Sequence, residues 1–215
     1  MIPLVHDFEG ETVLVVGGGA VGARKARRFA REARVVVVAP AFADADFGGA
    51  ERVRAAPDPE DVPGWLDRTD PALVVAATDD RAVNARVEAE AREHGILVNR
   101  TDTHGDRDPG SVVVPATVRD GDVVVAVSTG GASPALAKHL RERIEAEVEN
   151  AGAMAELTGE LRDRLQREGH PPAERRDAVR TVVGSERVWK LLDTGTSKAW
   201  QEVDSLIGTP AGEDT

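Results

Sequence analysis

Several stretches of this chain carry residue types at spacings that could do chemistry. The first is Gly17-x-Gly19-x-x-Gly22, inside TVLVVGGGAVGARKARR (residues 12–28). The first glycine permits a tight turn, and the second lets backbone approach a pyrophosphate. The third lets the following helix pack on the strand, and the free N–H groups of that helix's N-terminus then face the phosphates. Glycine-rich turns are common, so the pattern alone is weak. Here a strand-like run precedes it and a helical pattern follows. A second candidate is Asp102, in Asn99-Arg100-Thr101-Asp102, with His104 just beyond. A carboxylate there could accept a proton, and with His104 it could form a weak oxygen/nitrogen metal site. The plainer readings are a turn-capping aspartate and a solvated histidine, and no metal site is expected. A third is Ser128-Thr129-Gly130-Gly131-Ala132-Ser133-Pro134, which could hold a carboxylate on backbone N–H groups or be an ordinary capped turn.

Charged residues near these stretches divide the same way. Lys138, His139, Arg141 and Arg143 follow the serine-glycine turn, and Arg100, Arg107 and Arg119 lie before it. They could grip an anionic ligand or merely solvate the surface. Arg24 and Lys25 follow the glycines; Lys25 is the more notable, because the chain has only Lys25, Lys138, Lys190 and Lys198.

The elements that must position these residues read as α/β. Thr12–Val16 is a strand, a helix runs from Ala20 to Arg31, and Val35–Ala39 is a β-branched run with the look of a strand covered on both faces. An acidic residue commonly follows such a strand to bond a ribose; this chain has Ala39-Pro40-Ala41, with Asp44 and Asp46 a little beyond. NAD and NADP therefore both stay open. Glu51–Ala55 is a short strand candidate, a proline-rich stretch follows, and Leu73–Ala77 is the next buried strand. Thr78, Asp79 and Asp80 can cap a helix from Arg81 that carries Val83, Val87 and Ala91 and stops at Gly95. Ile96–Asn99 is the last strand of a doubly wound parallel sheet. Ser111–Pro115, Ala116–Arg119 and Val123–Ser128 then read as antiparallel strands with a turn at Asp120-Gly121. Ser133 and Pro134 open a helix to Glu149 with Leu136, Leu140, Ile144 and Val148 in one stripe. Amphipathic helices follow from Met154, split near Gly169–Pro172 and at Gly184, with a disordered tail expected after Gly208.

Composition excludes several classes. The chain has 215 residues, no cysteine and a formal charge of −11, with 38 acidic against 27 basic residues. Thiolate chemistry is excluded, and so acidic a surface argues against nucleic-acid binding. With four Phe, three Trp and no Tyr, a base-stacking platform is not expected. No apolar run approaches the roughly 18 residues of a membrane span, so a soluble cytoplasmic protein is expected, with no membrane partner.

Taken together, GGGAVGARKARR, VVAP, AATDD with VN, VNRTD, VVPA and AVSTGGASPALAKHLRERIE, in this order, resemble the precorrin-2 dehydrogenase / sirohydrochlorin ferrochelatase family, the siroheme synthase N-terminal module. No methyltransferase module follows, so the free-standing form is expected. The resemblance implies NAD-dependent oxidation of precorrin-2 to sirohydrochlorin and, in some members, insertion of ferrous iron. It implies a homodimer, with an NAD-binding Rossmann domain over residues 1–111, a small antiparallel-sheet dimerisation segment over 112–150 and a helical C-terminal region over 151–215. It places the catalytic carboxylate at Asp102 and the NAD contacts at Gly17, Gly18, Gly19, Ala20, Val21, Pro40, Ala41, Thr78 and Asp79. Candidate substrate contacts are Lys25, Arg100, Ser128, Thr129, Gly130, Ser133 and Lys138; the serine modified in some relatives falls on Thr129. The competing readings are a regulatory module that binds NAD without turnover and a non-catalytic tetrapyrrole carrier. The regulatory module would place an acid after the second strand and would have no use for the STGGASP turn.

Overall fold

The structure is a computed structural model that describes residues 3–103 and 111–208. It divides into two compact units, residues 1–114 with 130–132, and residues 115–129 with 133–215.

The first unit is built on β1 (Thr12–Val16), β2 (Arg34–Ala39), β3 (Glu51–Arg54), β4 (Leu73–Ala76) and β5 (Leu97–Arg100), all parallel, in the order β3-β2-β1-β4-β5. Alternate residues of each strand face opposite layers. Val13, Val15, Val35, Val37, Leu73 and Val75 pack on Ala23 and Ala26 of α1 (Ala20–Phe29). Leu14, Val16, Val36, Val38, Val74 and Ala76 pack on Val62 and Leu66 of α2 (Val62–Thr69) and on Val83 and Val87 of α3 (Arg81–Glu93). Helices on both faces explain why the central strands are apolar throughout. The strand order reverses between β1 and β4, which puts the crevice for a ligand beyond their carboxyl ends.

Several boundaries differ from the sequence reading. The proline-rich stretch forms a 3-10 turn (Pro59–Asp61) and then α2. Its prolines sit in first turns, where the missing N–H is no loss, and the Asp58 and Asp61 side chains close a capping box. The helix expected to reach Arg31 ends at Phe29, because the chain must turn at once to enter β2. Ser111–Pro115 is not a strand: Ser111 makes one bridge to Val98, and the Val112 carbonyl is taken by the Asn99 side-chain amide at 2.7 Å. The disordered tail expected after Gly208 lies outside the described residues.

The second unit begins with an antiparallel hairpin, β6 (Ala116–Asp120) and β7 (Val123–Val127). Its turn is Gly121-Asp122, one residue later than expected, with Gly121 at φ +52°. Then come α4 (Pro134–Glu147), α5 (Ala151–Arg167), α6 (Pro172–Val183), α7 (Glu186–Leu192) and α8 (Thr196–Ile207). Met154, Leu157, Leu161 and Leu165 form the buried stripe of α5, packed on Val182, Val188, Leu192, Ala199 and Val203. The hairpin joins this core closely: a Cβ at Gly152 would lie 2.6 Å from the Asp120 carbonyl oxygen, and the Gly152 N–H donates to the Asp120 carboxylate at 3.0 Å. Among the described residues, no side chain of α4 is buried.

Candidate functional site

The glycine turn joins β1 to α1 at the carboxyl edge of the sheet. Gly17 has φ +127°, and a Cβ there would meet the Ala77 carbonyl oxygen at 2.3 Å. A Cβ at Gly22 would lie 2.0 Å from the Gly17 carbonyl oxygen, and one at Gly18 would lie 2.2 Å from that of Ala41. These three glycines are required by the fold itself. Gly19 differs: among the described residues nothing lies within 4 Å of its would-be Cβ, and its φ of −74° suits any residue. The space over Gly19 is a cradle that a side chain would fill. Gly19, Ala20 and Val21 are exposed at its rim.

Gly19 is the N-cap of α1, which has no side-chain cap and no acidic residue in its first turn. Its first N–H groups and the positive end of its dipole are left for an anion. The pyrophosphate of NAD fits that donor set. Pro40 and Ala41 lie exposed at the end of β2, and Asp79 is exposed after β4. Thr78 is held more tightly. Its N–H donates to the Asn84 side-chain oxygen at 3.2 Å, its hydroxyl lies 2.8 Å from the same oxygen, and the Asn84 amide donates back to its carbonyl at 3.0 Å. Asn84 is fully buried, so the polar group is satisfied by locking this loop. Asp80 caps α3, accepting from the Ala82 N–H at 2.7 Å and the Val83 N–H at 3.3 Å.

Asp102 follows β5 on the same edge of the sheet. Its Oδ1 accepts from Arg100 Nε at 2.8 Å and its Oδ2 from Arg100 Nη2 at 3.0 Å. Arg100 Nη1 donates to Glu88 of α3 at 2.9 Å, and Arg92 bonds the other Glu88 oxygen at 2.8 Å. The Arg100 guanidinium is the main reason the Asp102 carboxyl is held below its usual range; partial burial opposes this, and Asn84 reinforces it. Arg100 in turn is held more firmly protonated, by Asp102 first and, against the cost of burial, by Glu88. The site thus presents a carboxylate biased toward its ionised form and held in orientation by two hydrogen bonds.

Arg100, an expected substrate contact, therefore directs its guanidinium to Asp102 and Glu88. Asn84, which closes the AATDD–VN motif, has no role of its own in the sequence reading, and Glu88, one turn on along α3, is not singled out there. A polar residue among the buried positions of an amphipathic helix was the available signal for Asn84; nothing local marked Glu88. His104 and Arg107 lie outside the described residues. Lys25 is half-buried on α1.

In the second unit, Thr129 and Ser133 of the serine-glycine turn form the start of α4. The Ser133 hydroxyl accepts from the Leu136 N–H at 3.3 Å, the Ser133 N–H donates to the Thr129 hydroxyl at 3.2 Å, and that hydroxyl reaches the Ser133 carbonyl at 3.1 Å. Ser128 and Gly130 are exposed. Lys138 lies 3.8 Å from Glu142 and Arg141 bonds Glu145 at 2.8 Å, exposed pairs that hold little energy.

Residues 4–116 match the family described as "Putative NAD(P)-binding", and residues 120–147 match "Sirohaem biosynthesis protein central". The chain is 34% identical, over 97% of its length and 94% of the relative's, to a precorrin-2 dehydrogenase of Methanosarcina barkeri. It is 35% identical over 98% of its length to siroheme synthase 2 of Aeromonas hydrophila, of which it spans 47%. A siroheme synthase of Ectopseudomonas mendocina is 40% identical over 77% of the chain, which spans 35% of that protein. Among solved structures, SirC, a precorrin-2 dehydrogenase, superposes with a TM-score of 0.70 at 26% identity, covering 95% of this chain and all of that one.

Proposed function

Because the chain belongs to the precorrin-2 dehydrogenase family, we propose that it oxidises precorrin-2 to sirohydrochlorin with NAD, in siroheme biosynthesis. Bound NAD supplies the hydride acceptor. Gly17–Val21 hold its pyrophosphate, with Pro40 and Ala41 at its adenosine end and Thr78 and Asp79 beside β4. Asp102 accepts the proton that leaves with the hydride, and Arg100 keeps its carboxylate ionised and aimed. The observation that carries this reading is the two-pronged Arg100–Asp102 pair at the sheet edge that also bears the glycine turn. The experiment is to add precorrin-2 and NAD and follow NADH absorbance together with the sirohydrochlorin spectrum. An Asp102→Ala protein as fast as the natural one would sink the assignment.

The remaining roles complete the proposal. Lys25, Ser128, Thr129, Gly130, Ser133 and Lys138 contact the substrate's carboxylates. Residues 1–111 form the NAD-binding domain, 112–150 the dimerisation segment and 151–215 the helical C-terminal region of a cytoplasmic homodimer. The apolar stripe Leu136, Leu140, Ile144 and Val148, exposed at Leu136 and half-buried at the rest, supports the dimer, since a second copy would bury it further. Ferrous iron enters as a second substrate: the carboxylate that takes one proton can take the two pyrrole N–H protons displaced on metal insertion in turn, passing each to water. Sirohydrochlorin mixed with ferrous ion, with and without the protein, tests that step separately.

A further inference from the structure

An NAD site commonly excludes NADP with an acidic side chain at the end of the second strand, which bonds the ribose hydroxyls and repels a 2′-phosphate. Here that strand ends in Ala39-Pro40-Ala41. The loop that follows is packed directly on the phosphate turn. A Cβ at Gly18 would lie 2.7 Å from the Ala39 Cβ and 3.0 Å from the Phe42 ring, and the Ala43 N–H donates to the Gly18 carbonyl at 2.8 Å.

The cations beside this loop come from β3. Arg52 pairs in register with Val37, and Arg54 with Ala39, so both share the sheet face that carries Phe42 and Phe47. The Arg52 guanidinium carbon lies 5.6 Å from the Phe42 ring centre and 5.5 Å from that of Phe47. Cation–π contact with the two rings holds the guanidinium on this face and leaves its N–H groups for an anion. Arg54 stands beside Ala39, at the strand end that touches Gly18. Both arginines are exposed, and neither forms an ion pair among the described residues, whereas Arg34 at the opposite end of the strands is paired with Glu51 at 2.8 Å. The loop also carries Asp44 and Asp46, the latter accepting from the Gly48 N–H at 2.7 Å.

We propose that the adenosine end of this site accepts a 2′-phosphate, with Arg52 and Arg54 as the receiving cations, so that the chain binds NADP as well as NAD. This rests on the dinucleotide reading of the glycine turn. The phosphate would take charge-assisted N–H bonds from the free edges of the two guanidinium groups.

The test is calorimetric titration of the full chain with NAD, NADP, 5′-ADP and 2′,5′-ADP, with no substrate present. The expected result is an NADP affinity within tenfold of that for NAD. Arg54→Glu, an exposed position that leaves the loop packing intact, should weaken NADP and 2′,5′-ADP at least tenfold and NAD less than threefold. Arg52→Gln should do the same, and Arg52→Lys should restore part of the loss. NADP binding more than tenfold weaker than NAD, or Arg54→Glu weakening both dinucleotides alike, overturns the inference and leaves the NAD reading standing. Failure of both dinucleotides to bind overturns both.

Discussion

Arg100 grips Asp102 across two residues of chain, with Nε and Nη2 each donating to a different carboxylate oxygen. The third arm of the guanidinium reaches Glu88 of α3. A carboxylate so held is oriented and ionised before substrate arrives, and its lowered pKa makes it a weaker base than a free aspartate.

Asp102→Asn should keep the size of the side chain and one of the two acceptors Arg100 uses, and remove the basicity. General-base losses are commonly about 100- to 10,000-fold in rate, so NADH production should fall by at least about 100-fold. NAD binding, followed by fluorescence, should stay within about twofold. Equal loss of binding would point to a folding defect instead.

The pair also makes a pH prediction. The folded-state pKa of Asp102 is depressed, so its stabilising contribution is present above the ordinary carboxylate value of about 3.9. It is lost as pH falls through the lower folded value. Arg100→Met removes the main cause, and the Asp102 carboxyl should then titrate at higher pH. The acid limb of kcat/KM against pH should move upward in that variant, by comparison with the natural chain.

The glycines of the turn should separate into fold and function. Gly17→Ala forces a side chain into a left-handed conformation against the Ala77 carbonyl. It should cost about 2 kcal/mol or more and lower the melting temperature by roughly 4–8 °C. Gly19→Val meets no protein atom, so the melting temperature should change by less than about 2 °C while NAD affinity falls at least about tenfold through blocked phosphate approach. Thermal scans alongside NAD titration distinguish the two.

Asn84→Ala should be felt at a distance from α3. It strips the buried partners from Thr78, leaving polar groups unsatisfied at about 1–3 kcal/mol. Urea unfolding should show that loss, and the KM for NAD should rise as the loop after β4 loosens.

The helix after the serine-glycine turn offers the test of assembly. Leu136 is 48% exposed in the single chain. Leu140→Asp combined with Leu136→Asp should yield a monomer by light scattering, with the far-ultraviolet helix signal kept.

Much of this protein is determined by the sequence alone, because its periodicities are local. Val35–Ala39 must be a two-faced strand, since an unbroken β-branched run is stable only when covered on both sides. Gly17 and Gly22 mark the turn, since only glycine permits the dihedral angle of the first and the close contacts of both, while Gly19 leaves the space a phosphate would need. Ser133 and Pro134 mark a helix start through backbone chemistry that needs no distant partner. The Pro59–Thr69 region was missed because proline reads as a breaker unless its place in the first turn is known. Tertiary structure alone decided what Arg100 does. Its partner Glu88 lies on α3, and only the parallel pairing of β4 with β5 and the packing of α3 on that sheet bring the two within 2.9 Å. The exposed Arg52 and Arg54 likewise acquire meaning only through register with β2. Strand and turn follow from each residue's own backbone preferences, whereas a charge takes its role from neighbours that folding, and not chain order, supplies.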